Sequence, residues 1–258
     1  MEEYIRTIYD DLPDIHSWSR FSPNEAQYMR YDTNILMTAI KVVDTYTALC
    51  IARANLHFLD NQEFGDYARD VTSINFVKSL HIQNALIYYN IAVDYSWQVL
   101  WLYYNDWIAQ ELPTSELYKD SIKDCNYDEL LLGLTLKRDF KMRDNIVKPF
   151  FSKNPYYQQI RPKYNYLKHR GTYHFEGLGL NDTNMMFSVN ISGKEVQPPL
   201  IARERLDIAS MKDLLVKFDD DFVEYMEYLI KLLLPADFSD GTMSFEGMLN
   251  YSLRYFRD

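Results

Sequence analysis

Hydrophobic positions recur along most of this chain at intervals of three and four, the period of an amphipathic helix, and shift to simple alternation near residue 185. Ser22-Pro23-Asn24-Glu25 combines a capping serine, a proline suited to the first helical position and a glutamate at the third, which predicts a helix start. Met29, Leu36, Ala39, Ile40, Val43 and Cys50 then carry one stripe to about Leu59, and Asn61 to Asp66 supplies a turn. A second long helix is predicted from about Thr72 to Gln110. Its apolar face, with Ile82, Leu86, Tyr89, Val93 and Leu100, is broad enough for the middle of a bundle. Asn90, Asp94 and Gln98 form a narrow polar stripe on it, expected at the solvent edge, with a pairing of Asp94 to His169 as the alternative. Pro113 is expected to end this helix.

Asn126-Tyr127-Asp128-Glu129 predicts another cap, opening a helix through Leu130, Leu131 and Leu134, which 140–151 continues after a break. Met185, Phe187, Val189 and Ile191 alternate with polar neighbours and predict a strand; Ser192-Gly193 turns, and 195–201 returns as an edge strand bearing Pro198 and Pro199. Asp207 or Ser210 is expected to cap the last long helix, striped by Met211, Leu215, Phe218, Phe222, Met226, Leu229 and Leu233 and stopped by Pro235. A short helix over 244–256 is expected to pack on its own bundle or on a second protomer. The pattern as a whole predicts a mainly α fold: an antiparallel helical bundle of four to five long helices with a small inserted β-hairpin within 181–206, forming a single domain over 1–258.

Composition narrows the function classes. With 258 residues, 47% of them hydrophobic, the chain can bury a substantial core and is not a disordered protein. A net charge of -10 argues against an extended nucleic-acid-binding surface, because such binding neutralises many phosphates, but it leaves room for a local basic pocket. Cys50 and Cys125 have neither zinc-site spacing nor the numbers of a disulfide framework, so a reducing cytoplasm is the expected location. Met1 to Asp14 is acidic without an apolar core, and the apolar run 82–107 is broken by Asn84, Asn90, Asp94 and Gln98, so neither a secretory signal nor a membrane span is expected.

Against this acidic background, Arg161 to Leu180, RPKYNYLKHRGTYHFEGLGL, concentrates cations and imidazoles. Pro162 fits the first turn of a helix and Gly171 the left-handed position just past its end. Spacing then places Asn165, Lys168 and His169 on one face, with Tyr164, Leu167 and Arg170 projecting elsewhere. Cations in a last helical turn are also favoured by the helix dipole alone, so a structural role for His169 and Arg170 competes with a chemical one.

The segment Asn165-Tyr-Leu-Lys-His169-Arg-Gly171 resembles the short motif of the HEPN superfamily, helical-bundle proteins that include metal-independent ribonucleases, toxins and phage-defence effectors. Asn165 and His169 match the family's Asn and His; the position of its arginine falls on Tyr164, Lys163 or Pro162, so Lys163 is the cationic substitute and Arg161 lies outside the spacing. The resemblance implies an RNA-directed activity in a cleft between two protomers, hence a homodimer. It implies His169 as acid or base at the ribose 2′-hydroxyl, with Lys163, Arg161 or Arg170 holding the phosphoryl oxygens. No cofactor and no metal are expected: His169, His174 and Glu176 are ligand types, but Gly171 breaks the helix that would align the two imidazoles. The rival reading is a catalytically inactive helical module that binds protein or nucleotide and oligomerises through apolar faces, and a metal-dependent bundle enzyme is the third.

Overall fold

Three helices supply most of the hydrophobic core. In the computed structural model, described here over residues 12–61, 63–175, 178, 189–196, 204–243 and 245–255, they are α2 (Thr33–Phe58), α3 (Val71–Tyr103) and α8 (Ile208–Leu233). Shorter elements are α1 (Glu25–Arg30), α4 (Ser115–Ile122), α5 (Tyr127–Leu136), α6 (Lys148–Lys153), α7 (Tyr157–His169) and α9 (Phe245–Tyr255), with a π-helical stretch Met142–Val147 leading into α6. The fold is mainly helical.

Side-chain contacts give the directions of the long helices. Asn34 at the start of α2 donates to the carbonyl of Tyr103 at the end of α3, and Asn55 near the end of α2 meets His81 near the start of α3, so the two run antiparallel. Arg53 meets Asp219 while Lys212 reaches Asp60, so α8 is antiparallel to α2. Tyr89 meets Asp219 and Ser96 lies beside Tyr225, so α8 runs parallel to α3. Leu49, Leu56, Ile82, Leu86, Phe218 and Phe222 fill the space between them and are fully buried, each such side chain stabilising by about 1.5–3 kcal/mol relative to exposure.

One polar knot ties the three helices together. Arg53 Nε and Nη2 donate to the two oxygens of Asp219, which is 0% exposed, and the Tyr89 hydroxyl donates to the same carboxylate at 2.7 Å. Arg53 Nη1 also holds the carbonyl of Pro13. Burial works against the Arg53 charge, but the hydrogen bond and charge of Asp219 outweigh it, leaving the guanidinium pKa above its ordinary value.

Several boundaries differ from the sequence expectation for local reasons. Asn24, not Ser22, caps α1: its side chain accepts from Ala26 N–H while Gln27 accepts from Asn24 N–H. The helix expected to run to Leu59 breaks at Tyr31 and Asp32, where Tyr31 stacks on Phe238 and bonds Asp237, residues that come after α8. α3 ends at Tyr103, ten residues before Pro113, in a short turn Asp106–Ile108. Asn126 caps α5 and Asp207 caps α8, through the N–H groups of Glu129 and Ser210.

Val189–Ile191 pairs antiparallel with Lys194–Val196 around Ser192 and Gly193, both with positive φ (56° and 80°), as a two-residue turn of primed type requires. The rest of the expected strands, 185–188 and 197–201, lies outside the described residues. The chain entering this region is tied to the chain leaving it: His174 N–H donates to the carbonyl of Glu204, and Leu206 N–H to that of His174. α2 has the length and apolarity of a membrane-crossing helix, and its buried residues pack against α3.

Candidate functional site

The basic helix begins five residues earlier than Pro162 suggests. Asn154 lies just ahead of it, its side chain accepting from the N–H groups of Tyr156 and Tyr157, with Pro155 in the turn that leads in. Pro162 is therefore inside α7, where it cannot donate to the carbonyl of Gln158. The far end agrees with expectation: Gly171 takes φ 140°, and the N–H groups of Arg170 and Gly171 both reach the carbonyl of Tyr166.

With this register, Tyr157, Arg161, Asn165 and His169 fall four residues apart on one face, and they line a groove of about 540 Å³ together with Gln158, Pro162, Tyr166 and Arg170. His169, Asn165 and Arg170 are exposed, so the imidazole is reachable from solvent. Arg170, expected to project elsewhere, shares the groove with His169. Lys163 does not line it; the Lys163 backbone carbonyl accepts from the Tyr173 hydroxyl, and its side chain leaves α7 on another face. Lys168 lies over the Tyr164 ring.

Arg161 is the most constrained of these groups. Its Nη1 donates to Asp94 at 2.9 Å and approaches the Asn90 amide oxygen at 3.5 Å. Its guanidinium carbon sits 5.3 Å from the ring centroids of both Trp97 and Tyr164, a cation–π arrangement from two sides. Nε and Nη2 have no hydrogen-bond partner among the described residues. An arginine fixed through one nitrogen and two ring faces, with its remaining donors free beside a groove, is preorganised for a phosphate or carboxylate.

The polar stripe of α3 is thus not a solvent edge. Asn90 is 0% exposed, and Asp94 faces α7, where it bonds Arg161 and not His169. Burial pushes the Asp94 carboxyl above its ordinary value, against the pull of Arg161 and, at longer range, Lys168. Burial also pushes the Tyr157 phenol up to about 12, so it stays protonated near neutral pH and serves as a hydrogen-bond donor or stacking face, not a base. Eight residues separate Arg161 from His169, about 12 Å along the helix axis, so the two address neighbouring parts of an extended ligand and Arg170 is the cation adjacent to the imidazole.

His174, the other imidazole of the segment, is buried 6% exposed in a separate cavity, and Glu176 lies outside the described residues. Among the described residues no three His, Cys, Asp or Glu side chains come together as a metal-binding group. Sequence reasoning missed Tyr157, Gln158 and the partnership of Asp94 with Arg161. Reading Asn154-Pro155 as the helix start would have put Tyr157 in register with Arg161, Asn165 and His169. No family model, curated protein or solved structure matches this chain.

Proposed function

We propose that the α7 groove binds single-stranded RNA and that His169 acts there as acid or base in metal-independent cleavage of the strand, in a chain organised as one HEPN-like helical-bundle domain with an inserted hairpin. The observation that carries this reading is Arg161, anchored by Asp94, Trp97 and Tyr164 yet presenting free donors to the groove that also holds exposed His169. α7 and its cap contribute Arg161, Lys163, Lys168, His169 and Arg170 and no acidic side chain between 157 and 171, a local cationic strip in a chain of net charge -10. Arg161 would hold one phosphate and Arg170 the phosphate undergoing attack, while His169 takes the proton of the adjacent 2′-hydroxyl as its oxygen bonds to phosphorus and the 5′-oxygen leaves, protonated by water, giving a 2′,3′-cyclic phosphate. A stable pair of chains would bury α9, whose Phe245, Leu249 and Leu253 are half or more exposed.

Mixed single-stranded RNAs incubated with the purified protein in chelator test this. Cleavage is expected in the wild type and lost in His169→Ala with binding retained, while Arg161→Ala weakens binding about tenfold or more, the scale of a charge-assisted hydrogen bond. Cleavage unchanged in His169→Ala removes the imidazole from the mechanism. The separation of about 12 Å between Arg161 and His169 favours one rival, a groove that binds nucleotide without cutting it; wild-type binding with no cleavage selects that rival.

A further inference from the structure

A second ligand site is carried by a residue the groove does not use. His174 is 6% exposed, yet neither ring nitrogen has a hydrogen-bond partner among the described residues. Buried polar groups in folded proteins are nearly always satisfied, by protein, water or ligand. The ring lines a cavity of about 290 Å³ whose other walls are Asn75, Phe175, Arg205, Leu206, Asp207 and Ile208. This cavity lies at the opposite side of Gly171 from the groove in the chain, where the backbone of His174 is clamped between Glu204 and Leu206.

The cavity opens at the N-terminus of α8, a helix of 26 residues. Asp207 turns its carboxylate onto its own helix, where hydrogen bonds from the Ser210 hydroxyl and, at 2.7 Å, the Ser210 N–H hold its carboxyl below the usual range. The N–H groups of Ile208 and Ala209 have no partner among the described residues, and the helix dipole places positive potential there. Asn75 adds an amide without a hydrogen-bond partner among the described residues, and Arg205 adds a guanidinium. Arg205 and the helix terminus both repel a metal cation, whereas every one of these groups can donate to an anion.

We propose that this cavity binds a compact anionic group, a phosphate or carboxylate, through the His174 imidazole, the Asn75 amide, Arg205 and the first N–H groups of α8. Phe175 and Ile208 leave room beside the anion for only a small apolar remainder. The site is independent of the α7 groove and of the activity of that groove.

Thermal unfolding in rising concentrations of inorganic phosphate, and separately of acetate, reads the site without any activity assay. A ligand that binds only the folded chain raises the melting temperature in a saturable way, whereas the same ionic strength of chloride does not. The rise is expected in the wild type and in Arg161→Ala, and is expected to vanish in His174→Phe and fall about tenfold in affinity in Asn75→Ala. His174→Phe replaces an unpaired polar ring by an apolar one of similar size, so it folds; His174→Asn, which keeps a donor, restores part of the response. Phosphate and acetate acting alike identify any compact anion, and a response to phosphate alone identifies a phosphoryl group. No saturable rise with either anion, a rise that survives His174→Phe, or one lost in Arg161→Ala overturns the site.

Discussion

Asp94 holds Arg161 in place at a cost to the folded state, so the pair can be tested through stability as well as through activity. Burial raises the Asp94 carboxyl above its ordinary pKa in spite of Arg161, so between pH 3.8 and its folded value the native chain binds more protons than the unfolded one. Stability from this group is therefore greatest in acid and is lost as pH rises through the folded pKa. Asp94→Asn, which mimics the protonated acid and keeps an acceptor for Arg161, is expected to remove that decline. The same variant is expected to weaken RNA binding, because Arg161 keeps its rings but loses the ion pair that fixes it. Denaturant melts across pH 4 to 8, alongside a binding titration, check both; a neutral-pH loss of stability would mean that the ion pair is structural. The face shared by Asn165 and His169 was readable from spacing. The anchoring of Arg161 was not, because its partner lies 67 residues away and Asn90 and Asp94 look the same in sequence whether they face water or a guanidinium.

At the scale of elements, the long helices were legible, whereas α4 and the helix ends were not. The stripe of α8 and the caps Asn126 and Asp207 announce themselves because a cap acts within three residues. The break between α1 and α2 does not, since it is made by Phe238 and Asp237 arriving from beyond α8. Pro162 misled for a related reason: as a residue type it fits a helix start, but the bonds of Asn154 set the start earlier and leave the proline inside. A proline in a helix interior forfeits one backbone bond and crowds the preceding turn, roughly 3 kcal/mol in an unadapted helix. Pro162→Ala is expected to stabilise the chain by about 1–2 kcal/mol, the remainder being offset by the freer unfolded state. Equilibrium unfolding reads this effect. No gain would show that the Gln158 carbonyl is already satisfied in the native helix.

For the whole molecule, a net charge of -10 set against the cations of α7 decides how RNA would be met at the groove. If the α7 groove is the contact, a strand meets only the few phosphates that Arg161, Arg170 and Lys168 can reach. Neutralising about three phosphates of a single strand releases about two counterions, giving a slope of about -2 for log K against log salt concentration. Affinity should therefore fall only modestly between low and physiological salt, and short oligonucleotides should bind as well as long ones. Arg161→Ala is expected to make the slope shallower by less than one full charge, because the Asp94 carboxylate already offsets part of that guanidinium. A slope of about -5 or steeper, or affinity that grows steadily with strand length, would require many more cations than α7 offers. It would place the nucleic-acid contact elsewhere on the molecule, leaving the groove to a smaller ligand.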